Sequence, residues 1–92
     1  MTLTLGVLAS GRGSNFLAVQ EEIEAGNLDA RISVLISDRE QAPALEIARN
    51  HGIPSYYYAY DRKDRSVFEA PAALTLQESG CDLILLAGLC GS

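Results

Sequence analysis

The segment Val7-Leu8-Ala9-Ser10-Gly11-Arg12-Gly13-Ser14-Asn15-Phe16 decides the fold, because it joins an apolar run to a helical pattern through two glycines. The apolar run over residues 3–9 predicts a buried strand. After the glycines, Ser14 and Asn15 can cap a helix. That helix would carry an apolar stripe at helical spacing, formed by Phe16, Val19 and Ile23. The segment therefore predicts a strand, a glycine loop and a helix in succession.

The rest of the chain repeats this alternation. Strands are predicted over 32–37, 53–60 and 82–88, and helices over 41–51 and 65–79. Glycines 26, 52 and 80 follow the three helices as stop signals. Pro71 lies inside the last helix, which begins either near Ala70 or at Arg65 with a kink at the proline.

The resulting order is βαβαβαβ, which indicates an α/β fold with a parallel sheet and right-handed crossovers. In a doubly wound layout the strand order would be 3-2-1-4. The fourth strand would then stand at an open edge, where an apolar strand can pair with a second copy. The pattern therefore predicts a fold that is truncated after its fourth strand. It also predicts self-association through that strand.

Composition limits the function classes. The 92 residues form one small domain, 48% of them hydrophobic, with a net charge of −5. The seven basic residues are scattered, which argues against nucleic-acid binding. No apolar run has the roughly 18 residues that a membrane span needs, and no leader pattern opens the chain. Cys81 and Cys90 have neither metal-ligand nor C-x-x-C spacing, which predicts reduced thiols, no metal site and a cytoplasmic protein.

The glycine loop is the candidate binding site. A helix that begins at Gly13, Ser14 and Asn15 would direct unpaired amides and a partial positive charge at an anion. A tight turn with a helix cap and no ligand is the structural alternative. The dinucleotide fingerprint is incomplete because Phe16 takes the place of its third glycine, although Asp38 could act as its ribose-binding acid. The pattern of nucleoside triphosphate-binding loops is also incomplete, because Arg12 stands at the position of its lysine. A single phosphate therefore fits the short loop best.

These residues resemble the phosphoribosylglycinamide formyltransferase family. The resemblance begins with residues 7–18 and continues through 34–39, 48–54, 65–69 and 82–88, so it covers essentially the whole chain. It implies a Rossmann-like, formyltransferase-type sheet, with residues 1–92 as the N-terminal, nucleotide-phosphate-binding half. The implied reaction transfers a formyl group from 10-formyltetrahydrofolate to the amine of a ribonucleotide in purine synthesis, without a metal.

The resemblance also implies roles for particular residues. The substrate phosphate would lie on Gly13, Ser14 and Asn15. The folate side would be formed by Arg65 and the segment after the fourth strand, which reads Leu89, Cys90, Gly91 and Ser92 and departs from the family pattern.

The family's catalytic Asn, His and Asp lie C-terminal to the matching segments, so no catalytic residue is expected in this chain. His51, its one histidine, is expected on the surface at a helix end. The chain alone is therefore expected to be inactive. The alternative function is a non-catalytic module that binds phosphate or a mononucleotide.

Overall fold

The computed structural model describes residues 2–9 and 14–87, which form four strands and three helices. In chain order they are β1 (Leu3–Ala9), α1 (Ser14–Glu24), β2 (Ala30–Ser37), α2 (Pro43–Asn50), β3 (Ser55–Tyr57), α3 (Ser66–Glu78) and β4 (Leu83–Ala87). The strands pair in parallel in the order β3-β2-β1-β4. Both the α/β class and the predicted strand order are confirmed.

Several element bounds differ from the predicted ones for local reasons. β2 begins two residues early, at Ala30, because Leu3 of β1 is its partner there. α2 begins at Pro43 rather than 41, since the residue before a proline is disfavoured in the helical region and Ala42 is extended at φ −63° and ψ 129°. β3 stops at Tyr57, because β2 ends at Ser37 and offers no further partner.

The first helix begins at Ser14, so Ser14 and Asn15 form its first turn instead of preceding it. Two starts were predicted for the third helix, one near Ala70 and one at Arg65. The earlier start is correct to within one residue, because α3 begins at Ser66 and continues through Pro71. Its start is fixed by Asp64, whose carboxylate accepts hydrogen bonds from the Ser66 amide at 3.0 Å and the Ser66 hydroxyl at 2.5 Å. The missing Pro71 amide would have bonded to the carbonyl of Val67, a solvent-exposed residue.

Two apolar layers cover the two faces of the sheet. One layer packs α1 and α2 against the sheet, and its members include Val7, Phe16, Leu35, Leu45 and Ala48. The other packs α3 against the opposite face through Val34, Ile36, Phe68, Ala72 and Leu76. This three-layer arrangement explains why β1 and β2 read as nearly continuous apolar runs.

Gly6 of β1 allows α3 to approach the sheet closely. A Cβ built at Gly6 would lie 2.6 Å from Leu76 Cδ2 and 3.1 Å from Cys81 Sγ. Both distances are shorter than a van der Waals contact, so the absence of a side chain at this position sets the depth at which α3 packs.

β4 forms one edge of the sheet, as predicted. It pairs with β1 over residues 83–87, and no strand among the described residues pairs with its other side. Three of its apolar side chains are exposed: Leu83, Ile84 and Leu86. Because Leu83 and its neighbour Ile84 point to opposite faces of the sheet, both faces of β4 carry an exposed apolar side chain, although Leu85 packs against the layer of α1 and α2.

Candidate functional site

The candidate site lies at the carboxyl edge of the sheet, between β1 and α1. β1 is an inner strand that ends at Ala9, and α1 begins at Ser14. Residues 10–13, including the predicted site residue Gly13, lie outside the described residues. Because α1 returns against the strand direction, its N-terminus faces this edge, where parallel α/β sheets bind their ligands.

The first turn of α1 has the electrostatics of an anion site. The first four amides of a helix have no partner within it, and the macrodipole adds a partial positive charge. The first turn of α1 contains no acidic residue to neutralise that charge. Asn15 is solvent-exposed in the same turn. A phosphate group at this position would meet backbone amides and an exposed side-chain amide.

Phe16 anchors the first turn of α1 in the apolar core. Its side chain is fully buried and belongs to the apolar layer that includes Val7 and Leu35. Dinucleotide-binding proteins have a glycine at this position so that the helix can pack closely on the strand. The Phe16 side chain fills that space instead, which supports the expectation that the loop is not a dinucleotide fingerprint.

The predicted folate-side residues are only partly described. Arg65 is exposed and stands immediately before α3, with φ −63° and ψ −24°. α3 also begins at the carboxyl edge, but it packs on the face of the sheet opposite to α1. Arg65 and Asn15 therefore lie at the same edge, at the starts of helices on opposite faces of the sheet. Leu89, Cys90, Gly91 and Ser92 lie outside the described residues.

Asp38, the possible ribose ligand of a dinucleotide site, also lies at this edge. It directly follows β2, and it is only 9% exposed. Its Oδ1 atom is buried and accepts no hydrogen bond from the described residues. The neighbouring Ser37 hydroxyl accepts from the Arg39 amide at 3.1 Å and donates to the Arg39 carbonyl at 3.2 Å, so a local turn holds this segment. A buried carboxylate oxygen without a donor is costly, which makes Asp38 a candidate functional residue.

His51 lies at the C-terminus of α2, away from the carboxyl edge. Its Nδ1 is 2.9 Å from Glu24 Oε2 at the C-terminus of α1. The hydrogen bonds from Gln20 and His51 hold the pKa of Glu24 below its ordinary value of 4.5. The position confirms the prediction of a helix-end histidine, and this contact links two helices rather than forming part of the candidate site.

Two cavities lie elsewhere on the described surface. One of about 280 Å³ lies between β3 and the last turn of α3, and its lining includes Tyr56, Tyr58 and Glu78. Another of about 560 Å³ runs beside the first half of β4 and includes Cys81 and Leu83. Neither is lined by a predicted site residue. Within residues 2–9 and 14–87 there is no cluster of metal-ligating side chains and no helix that is long and apolar enough to cross a membrane.

Comparison with known families agrees with this geometry. The profile of the formyl transferase family, described as "Formyl transferase", matches residues 4–90. The chain belongs to this family. The phosphoribosylglycinamide formyltransferase of Glycine max, described as chloroplastic, is 36% identical over 84 residues, which cover 91% of this chain and 28% of the relative. The enzyme of the same name from Bacillus subtilis is 36% identical over 85 residues, covering 89% of this chain and 43% of the relative.

A solved structure extends the comparison to three dimensions. Glycinamide ribonucleotide transformylase 1 from Symbiobacterium toebii superposes with a TM-score of 0.87 at 37% sequence identity. The superposition covers 97% of this chain and 42% of that structure. This formyl transferase chain therefore spans less than half the length of these relatives.

Proposed function

We propose that this chain is the N-terminal, phosphate-binding half of a phosphoribosylglycinamide formyltransferase. In the proposed reaction, the amine of N1-(5-phosphoribosyl)glycinamide attacks the formyl carbon of 10-formyltetrahydrofolate. A new C–N bond forms, the bond from that carbon to N10 of the folate breaks, and the amine loses one proton as N10 gains one. The observation that carries the proposal is the N-terminus of α1 at the carboxyl edge of the sheet, as the next element after the inner strand β1, in a chain that matches the family over residues 4–90.

The phosphate of the ribonucleotide is assigned to Gly13, Ser14 and Asn15. A phosphate monoester carries up to two negative charges, and a helix N-terminus offers several amide donors together with a favourable dipole. The first turn has no carboxylate to oppose such an anion, and Asn15 is exposed beside it. These properties support a phosphate-binding loop at this position.

The folate cosubstrate is assigned to the other part of the carboxyl edge. Arg65, exposed at the start of α3, offers a cation for the glutamate carboxylates of the folate. Residues Leu89, Cys90, Gly91 and Ser92 follow β4 and complete the proposed folate side. The two cosubstrates would then approach from opposite faces of the sheet and meet at its edge. No metal takes part in the proposal.

The residues assigned here bind the two substrates but do not carry out the formyl transfer. The groups assigned here bind the phosphate and the folate, and none of them is placed to transfer the amine proton. We therefore expect the 92-residue chain alone to bind the ribonucleotide without transferring formyl groups. Formyl transfer by the purified chain, measured as tetrahydrofolate release, would show that this division is wrong.

Titration with the ribonucleotide substrate and with inorganic phosphate tests the binding site. Gly13→Val is expected to abolish binding, because a β-branched side chain blocks the close approach of an anion to the backbone. Asn15→Ala should weaken phosphate binding about tenfold, the effect of losing one hydrogen bond to a charged group. Asn50→Ala is the matched control, since Asn50 is also exposed but lies at the C-terminal end of a helix. Unchanged binding in both site variants would exclude the assignment.

The alternative is a module that binds phosphate or a mononucleotide for another purpose. The same titration distinguishes the two, because the formyltransferase proposal requires the ribonucleotide to bind more tightly than inorganic phosphate. A cytoplasmic location and self-association through β4 also belong to the proposal. The name of the Glycine max relative specifies a chloroplast, so imaging of a tagged full-length protein in its own cells is the test of the compartment.

A further inference from the structure

We propose that the cavity between β3 and the last turn of α3 binds a small molecule through a primary ammonium group. Its volume of about 280 Å³ lies near the lower limit for ligand pockets, so the molecule must be small. Among the described residues that line the cavity, none is basic. The lining residues with a side-chain oxygen are Ser33, Tyr56, Tyr58, Thr75, Glu78 and Ser79. None of them belongs to the proposed phosphate or folate side, so this proposal goes beyond the formyltransferase assignment.

The hydroxyl groups around the cavity have already used most of their protons. The Ser33 hydroxyl donates to a backbone carbonyl of β1 at 3.3 Å, and the Ser79 hydroxyl donates to a backbone carbonyl of α3 at 2.7 Å. The hydroxyl oxygens of Tyr58 and Thr75 are 2.5 Å apart, so one hydroxyl donates to the other. Because a hydroxyl has one proton and two lone pairs, these groups are left mainly with the capacity to accept. A ligand with several N–H donors matches them.

The end of α3 concentrates negative charge beside these acceptors. Glu78 is exposed in the last turn, where the macrodipole already places a partial negative charge. That turn contains no basic residue, and no hydrogen bond or ion pair joins the Glu78 carboxylate to another described residue. At the end of α1, by contrast, Glu24 Oε2 lies 2.9 Å from His51 Nδ1. An ammonium ion in the cavity would supply the positive charge that the end of α3 lacks.

Two tyrosine rings favour an organic cation over a metal ion. Tyr56 and Tyr58 line the cavity with parallel rings whose centroids are 6.2 Å apart. An aromatic ring attracts an ammonium group to its face, and it also packs against an alkyl chain. A hard metal ion such as Ca²⁺ would need at least about six oxygen ligands, usually with several carboxylates among them. Glu78 is the one carboxylate of the described lining.

β2 has an irregularity at one of the residues that line the cavity. Leu5 of β1 pairs with Ile32, but the next residue, Gly6, pairs with Val34. The register therefore skips Ser33, which is the extra residue of a β-bulge. Such bulges turn a side chain out of the regular alternation, and they are frequent beside functional sites. The bulge thus adds an oxygen to the cavity that a regular strand would place elsewhere.

Titration with n-butylammonium chloride at about 0.15 M salt, followed through the backbone amide NMR shifts, tests the proposal. Saturable shifts are expected at Tyr58 and over residues 75–79. 1-Butanol has the same alkyl chain without the charge, and tetramethylammonium has the charge without N–H donors. Both should bind at least about tenfold more weakly, since neither offers a charged N–H group to the acceptors. Equally tight binding of either control, or no saturable shift with n-butylammonium, would overturn the proposal.

Glu78→Gln tests the contribution of the carboxylate and should weaken n-butylammonium binding about tenfold. Glu78 is exposed, so this substitution leaves the core unchanged. Glu69→Gln is the matched control, because Glu69 is an exposed acid in the first turn of the same helix. At 1.5 Å per residue the two acids are roughly 13 Å apart along the axis, which exceeds the Debye length of about 8 Å. Equal losses in both variants would indicate general attraction to an acidic chain and would overturn the site.

Thr75→Val tests the contribution of the hydroxyl acceptors. Valine keeps the shape of the side chain, but it removes one oxygen and frees the Tyr58 hydroxyl proton to face the ammonium group. Binding should weaken about threefold to tenfold, the effect of one neutral hydrogen bond. Unchanged affinity in both Thr75→Val and Glu78→Gln would overturn the proposal. No ribonucleotide or folate enters these titrations, so a failure of the proposed function leaves their outcome unaffected.

Discussion

At the scale of single residues, Gly6, Phe16 and Asp38 show different degrees of predictability. Phe16 could be assigned to the core from helical spacing, and the structure buries it completely. The sequence indicates only that Gly6 belongs to an apolar strand. The need for glycine at this position comes from the close approach of Leu76 and Cys81, which are about 70 residues away in sequence. Asp38 could be noticed as an acid after a strand, but the burial of its Oδ1 atom without a hydrogen-bond partner is visible only in the folded chain.

Gly6→Ala tests the close approach of α3. The added methyl group would meet Leu76 Cδ2 at 2.6 Å, and Leu76 is too buried to turn away freely. We expect a loss of about 1–3 kcal/mol in the free energy of unfolding, the usual cost of overpacking. Urea denaturation gives this value.

The control for this clash is a double-mutant cycle. In a Leu76→Ala background, the atom that meets the new methyl group is absent, so Gly6→Ala should cost much less there. The same loss in both backgrounds would mean that backbone conformation, and not the contact with Leu76, explains the effect.

At the scale of elements, the pattern predicted every helix and strand, while the bounds depended on neighbours. β3 is shorter than its apolar run because β2 offers partners only as far as Ser37. α2 starts late because Pro43 acts on the residue before it. The helix ends were easier, since Gly26, Gly52 and Gly80 all adopt a positive φ after a helix. Local signals therefore set the ends of helices here, and pairing sets the ends of strands.

The contact between α1 and α2 predicts a pH dependence. Hydrogen bonds from Gln20 and His51 lower the folded-state pKa of Glu24 below 4.5. A lowered carboxylate pKa contributes stability above the unfolded-state pKa, and this contribution is lost as the pH falls through the lowered folded-state pKa. Because Glu24 is exposed at the surface, solvent screening makes the contribution small.

Thermal unfolding at about pH 5.5 and about pH 3 measures this contribution. The Glu24→Gln chain should lose less Tm than the native chain over that interval. Glu22→Gln, an exposed acid of the same helix, is the control and should behave like the native chain. An acid-induced decrease equal to the native one in Glu24→Gln would contradict the linkage.

At the scale of the whole molecule, the topology could be predicted completely, while the site residues stay predictions. Alternating strands and helices leave few parallel arrangements, so the order 3-2-1-4 followed from general rules. The glycines and the helix start predict a phosphate loop, which stays a prediction. The folate side was implied by the family resemblance and not by local patterns, because Arg65 and residues 89–92 are far apart in the sequence, and it stays a prediction.

The uncovered β4 edge predicts self-association of the 92-residue chain. Leu86 is 64% exposed, and its strand has free backbone groups on its outer side in the described part of the sheet. Leu86→Lys should shift the chain towards monomer, since a charged edge residue disfavours pairing. Sedimentation velocity over a concentration series measures the shift. Leu28→Lys, at an exposed apolar site away from β4, should not change the association, and a native chain that is monomeric throughout would contradict the prediction.

The pairing of β1 with β4 also orders events during synthesis of the chain. The Asp82 amide donates to the Thr4 carbonyl at 2.7 Å, and the Asp82 carboxylate accepts from the Thr4 amide across 78 residues of sequence. Contacts of such long range form late, because the entropy of closing the intervening loop must be overcome first. A ribosome-bound chain could therefore pair β1 with β2 early, but β1 would remain an edge strand until residue 87 had emerged.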